Sequence, residues 1–137
     1  MIVTYIGVGS NIEPVKHVQA AVSELRQLGE QLRVSTVYEC ASVGFESRSF
    51  YNLVVEMKTP LNLDDLAAKL REAEIRWGRN PDAKKMQDRT LDLDIILYGD
   101  IVSSTPSLPR EDIYKYAFVI QPMYELCPHL VIPNDGR

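Results

Sequence analysis

Arg89-Thr90-Leu91-Asp92-Leu93-Asp94-Ile95-Ile96-Leu97-Tyr98-Gly99 places two aspartates at alternate positions just before an apolar run. A β-strand turns residues i and i+2 to one face. Asp92 and Asp94 therefore project side by side, with Leu91, Leu93 and Ile95 on the opposite face. Carboxylates held that close repel each other unless positive charge sits between them. A hard cation such as Mg²⁺ is the usual answer, because it takes oxygen ligands and bridges to substrate phosphates. Arg89, three residues before Asp92, is placed to reach the same phosphates. By itself an Asp-x-Asp pair more often marks a solvated strand edge or a turn. Here it abuts Ile95-Ile96-Leu97, and carboxylates beside a buried run are costly without a partner.

Working outward from this strand, the chain alternates between the two periodicities. Ile2 to Val8 reads as a first buried strand ending in a turn-rich junction, Gly7-Val-Gly9-Ser-Asn11. Pro14 suits the first turn of a helix, and Val15, Val18, Ala21, Val22, Leu25 and Leu28 recur at helical spacing as far as Gly29. Leu32, Val34, Thr36 and Tyr38 alternate as one second strand. Cys40 to Ser49 is a loop around Gly44, and Phe50 to Met57 is a third strand. Leu63, Leu66, Ala67, Leu70, Ala73 and Ile75 to Trp77 mark a second helix, with Asp64 and Asp65 where its dipole favours anions. Arg79 to Asp88 has a loop composition and Leu91 to Leu97 is the fourth strand. Gly99 to Pro109 is a loop, Ala117 to Leu126 is expected to be helical with a break at Pro122, and Val131-Ile132 suggests a short edge strand. The order β-α-β-β-α-β with a C-terminal helical segment predicts an α+β, ferredoxin-like fold, an antiparallel sheet with helices on one face. That fold hosts many functions and decides none.

The 137 residues suit one domain, 1–137, with its own core. A charged content of 25% and a net charge of −4 argue against nucleic-acid or membrane-surface binding. Cys40 and Cys127 are far apart and outside any metal-ligand spacing. With no leader visible in Met1 to Ser10, two free thiols in a reducing cytoplasm is the simplest reading. His17 and His129 are isolated and are expected on the surface or in packing.

Arg-Thr-Leu-Asp-Leu-Asp-Ile-x-Leu-Tyr-Gly resembles the signature of the 6-hydroxymethyl-7,8-dihydropterin pyrophosphokinases of folate biosynthesis. Tyr5-Ile-Gly-Val-Gly-Ser-Asn11, Phe50-Tyr-Asn52, Pro109, Ala117-Phe118 and Pro122-Met-Tyr-Glu-Leu-Cys-Pro128 follow the same family in order and spacing. The resemblance implies transfer of a diphosphoryl unit from ATP to a pterin hydroxymethyl group, with AMP leaving. It implies two Mg²⁺ ions held by Asp92 and Asp94, with Arg79 and Arg89 joining them as catalytic residues. The pterin would stack between Phe50 and Phe118, with Asn52 reading its polar edge and the backbone of Val43 and Gly44 completing the contacts. Glu74, Arg79, Arg89 and Ile95 would lie at the nucleotide, as would Ser107, Arg110 and Tyr116. The partners implied are the pterin and ATP, with no nucleic acid and no membrane, and a monomer is the expected state. No covalent nucleophile is needed, since such chemistry rests on positioning and charge neutralisation.

Some positions depart from the family pattern. Arg110 stands where the family has His, Tyr116 where it has Arg, and Pro81 and Met86 where its loop has Arg and Trp. Tyr116 brings one hydrogen-bonding hydroxyl in place of a cation. A non-catalytic pterin- or nucleotide-binding paralogue is therefore the second reading.

Overall fold

The computed structural model describes residues 1–40, 50–78, 91–101, 103–104 and 107–108. The elements run β1 (Ile2–Ser10), α1 (Pro14–Arg26), β2 (Glu30–Val34), β3 (Tyr38–Cys40), β4 (Phe50–Thr59), α2 (Leu63–Arg76), β5 (Asp92–Tyr98), β6 (Ser103–Ser104) and β7 (Ser107–Leu108). The main sheet has the order β2-β4-β1-β5, with β3 also pairing β4, and its pairings are all antiparallel. Each helix thus connects two strands that flank a third, the split arrangement of the ferredoxin-like fold. The expected helix from Ala117 and the edge strand at 131–132 lie outside the described residues. No helix among the described residues is long and apolar enough to cross a membrane.

One face of the sheet packs against both helices. Ile6 and Val8 of β1, Leu53, Val55 and Met57 of β4, and Leu93 and Ile95 of β5 meet Ala21 and Leu25 of α1 and Leu66, Leu70 and Ala73 of α2. The apolar stripe of α1 is displaced from the sequence expectation. His17 and Ala20 are buried, whereas Val15 is 61% exposed. Asn62 caps α2, its Oδ1 accepting from the Asp65 N–H at 2.8 Å. The two helices are also clamped to each other. Arg76 Nη2 donates to Glu24 Oε2 at 2.6 Å and Trp77 Nε1 donates to Glu24 Oε1 at 3.4 Å.

The Arg76 hydrogen bond holds the Glu24 carboxyl below its ordinary range, outweighing the opposite pull of burial, and Trp77 adds to the lowering. A depressed carboxyl contributes stability above its unfolded value and loses that contribution as pH falls through the folded one. Glu24→Gln is therefore expected to melt a few degrees below wild type at neutral pH, the gap closing below about pH 4. Thermal melts across that range check it. A gap that persists undiminished in acid would assign the effect to packing.

Three sequence expectations need correction. The glycines of Gly7-Val-Gly9 do not form a turn. β1 continues to Ser10, with Gly7 paired to Val54 and Asp94, and Gly9 to Asn52 and Asp92. Pairing on both sides keeps the strand extended, and the chain turns only at Asn11–Glu13. The expected second strand, Leu32 to Tyr38, is broken at Ser35. The Ser35 N–H donates to the Val54 carbonyl at 3.0 Å, and the Val54 N–H donates to Ser35 Oγ at 2.9 Å. A side-chain hydroxyl thereby replaces a ladder carbonyl. The expected loop from Gly99 also holds a small ladder, β6 against β7.

Candidate active site

Residues directly opposite one another in a sheet share a face. On the face turned away from the helices, one row runs Tyr38, Asn52, Gly9, Asp92 across β3, β4, β1 and β5. The next row runs Val54, Gly7, Asp94. Asp92 and Asp94 are both half-buried, as is Asn52. The central strand contributes Gly9 between Asn52 and Asp92 and Gly7 between Val54 and Asp94, a glycine lane over which Ile96 packs at Gly7. A Cβ on Gly7 would lie 3.2 Å from Ile96 Cδ1. Two interstrand spacings separate Asn52 from Asp92, about 10 Å between backbones.

The break after β2 supplies Tyr38 to this row. Val34 pairs with Val55, so an unbroken register would set Tyr38 opposite Tyr51, but its partner is Asn52. A one-residue offset moves a side chain to the other face, so Ser35 turns Tyr38 toward the glycine lane. Sequence alternation alone does not find this residue.

Beyond Gly9 the chain leaves β1 through Asn11 to Glu13, and Glu13 adopts φ 43°. His17 Nδ1 lies 2.6 Å from the Ile12 carbonyl and 3.1 Å from that of Glu13. A ring nitrogen facing two carbonyl acceptors must carry the proton. His17 is 4% exposed, with its ring edge-on to Trp77 at 6.1 Å. It is a packing residue that holds the turn after the lane.

Glu74 follows Leu70 by four residues and so lies on the packed face of α2, where a carboxylate needs a partner. It is 4% exposed, and its Oε2 accepts from the Leu93 N–H, the amide between Asp92 and Asp94, at 2.8 Å. Leaving that buried N–H unpaired would cost about 1–3 kcal/mol.

A sequence model of the 7,8-dihydro-6-hydroxymethylpterin-pyrophosphokinase family matches residues 5–128, a span that includes the glycine lane and both acids. The chain belongs to this family. Three proteins named 2-amino-4-hydroxy-6-hydroxymethyldihydropteridine pyrophosphokinase are similar along most of their length. The Aquifex aeolicus protein is 34% identical over 97% of this chain and 85% of its own. That of Haemophilus influenzae is 35% identical over 98% and 88%, and that of Pseudomonas aeruginosa 36% over 97% and 85%. As a family member the chain is a pyrophosphokinase, a diphosphotransferase of folate biosynthesis.

Of the residues the family resemblance singles out, the structure brings Asp92, Asp94 and Asn52 to one face. Ile95 points the other way, into the helix-side core, and is 7% exposed, so its backbone is what remains for a nucleotide. Phe50 opens β4 opposite Cys40, and Ser107 lies in β7. Arg79, Arg89, Val43, Gly44, Arg110, Tyr116 and Phe118 lie outside the described residues. Among the described residues no third His, Cys, Asp or Glu joins the two acids. Two carboxylates and nothing softer suit Mg²⁺, which keeps waters and takes substrate phosphates as its remaining ligands.

Proposed function

We propose that this chain transfers the β,γ-diphosphoryl group of ATP to the hydroxymethyl group of 6-hydroxymethyl-7,8-dihydropterin in a Mg²⁺-dependent reaction. The pterin hydroxyl oxygen attacks the β-phosphorus, the bond from that phosphorus to the α,β-bridging oxygen breaks, AMP leaves, and the hydroxyl proton is released. The observation that supports this reading most is the register that sets Asn52, Gly9 and Asp92 in one row, with Asp94 beside it. Asn52 offers an amide donor and acceptor to the heterocycle's edge. Gly9, with no side chain of its own, lies between Asn52 and Asp92, the direction in which the hydroxymethyl group would extend toward the acids. Asp92 and Asp94 would hold Mg²⁺, which when bound would supply neutralisation of the triphosphate charge. Phe50 and Phe118 supply stacking faces, and Arg79 and Arg89 supply positive charge to the phosphates. Aligning two bound substrates in this way makes up much of the catalysis in phosphoryl transfer.

The test is AMP release with MgATP and the pterin. Product is expected only when ATP, pterin and Mg²⁺ are all present, and chelating the metal should stop it. Pterin and nucleotide binding without AMP at high protein concentration would replace the catalytic reading with that of a binding paralogue.

A further inference from the structure

We propose that Glu74 is a positioning residue that sets the two acids through the backbone between them, an inference that rests on the metal-binding reading of Asp92 and Asp94. β5 is the outer strand of the described sheet and pairs with β1 alone. Gly9 and Gly7 face Asp92 and Asp94 across that pairing, and the intervening Leu93 turns its N–H outward. The α2 carboxylate of Glu74 receives that N–H from a buried site.

A second observation shows why the contact matters. Ile6 pairs with Ile95 but Tyr5 pairs with Leu97, so Ile96 is bulged out of the ladder directly after the acidic segment. A bulged outer strand is open to slippage, and a one-residue slip would turn both acids into the helix-side core. The Glu74 hydrogen bond ties this segment to α2 at the residue between the acids, independently of the β1 ladder. Outer partners that orient metal-binding groups in this manner typically change metal affinity by about 10–100-fold when removed.

The experiment compares wild type, Glu74→Leu, Glu74→Gln and Asp92→Asn. Magnesium binding is measured by calorimetry in the presence of a non-hydrolysable ATP analogue, and Leu93 amide exchange by NMR without metal. Glu74→Leu is expected to speed Leu93 exchange and to weaken Mg²⁺ at least tenfold. Glu74→Gln keeps a carbonyl acceptor and is expected to keep Leu93 protection and most of the Mg²⁺ affinity. Wild-type Mg²⁺ affinity in Glu74→Leu, with affinity lost in Asp92→Asn, overturns the role of Glu74 alone. Wild-type affinity in Asp92→Asn overturns the metal reading, and this proposal with it. Should Glu74→Leu not fold, Glu74→Gln decides. Protection retained with Mg²⁺ affinity lost would assign Glu74 a direct charge role and overturn positioning.

Discussion

Asp92→Asn is expected to lower AMP formation by on the order of 10³-fold while leaving the fold intact. Asparagine has nearly the shape of aspartate, and the site is half-buried beside Gly9, so no cavity opens. What disappears is one of two negative charges. On the proposed metal reading, Asp94 alone would hold Mg²⁺ weakly and leave the triphosphate charge incompletely neutralised. The defect should be greatest at low Mg²⁺ and shrink as Mg²⁺ is raised. Asp94→Asn should behave alike, and the double variant should be little worse than either single one, because the pair acts as a unit. Steady-state AMP release across a magnesium series, with a thermal melt of each variant, checks this. A variant that turns over at the wild-type rate at limiting magnesium would remove Asp92 from the site.

Ile6→Ala is expected to destabilise the protein by about 2–5 kcal/mol. Ile6 is fully buried on the central strand. It lies in the cluster that joins Leu25 of α1, Leu66 and Leu70 of α2, and Val55 and Ile95 of the flanking strands. Strands on both sides and helices above leave the void little freedom to collapse, which puts the cost toward the upper part of that range. Urea unfolding should show a lower midpoint at an unchanged slope. Ile6 precedes Gly7, so the site should loosen with the core. A loss below about 1 kcal/mol would mean that the helices relax onto the strand.

Much of this could be read along the chain. Alternation at Asp92 and Asp94 gave both acids a common face, and Leu93 and Ile95 the opposite, helix-packed one. The periodicities of Leu63 to Trp77 and Phe50 to Met57 located α2 and β4 within a residue or two. These are local properties, carried by bond geometry that repeats every two or 3.6 residues. Longer motifs such as Arg89 to Gly99 carried the family as well.

Register and side-chain partners were not legible in this way, because each depends on residues tens of positions apart. That Gly9 stands between Asn52 and Asp92, and Gly7 between Val54 and Asp94, follows from pairing on both sides of β1. Glycine in isolation suggests a turn. Tyr38 joins the lane only because Ser35 bonds to Val54. The spacing of Glu74 from Leu66 and Leu70 puts it on the packed face of α2, but only the packing of that helix beside β5 gives it the Leu93 amide as a partner. Local order thus supplied the elements and the acidic pair. Long-range packing set which side chains face one another across the sheet, because hydrogen-bond pairing and burial belong to the assembled chain and to no single segment of it.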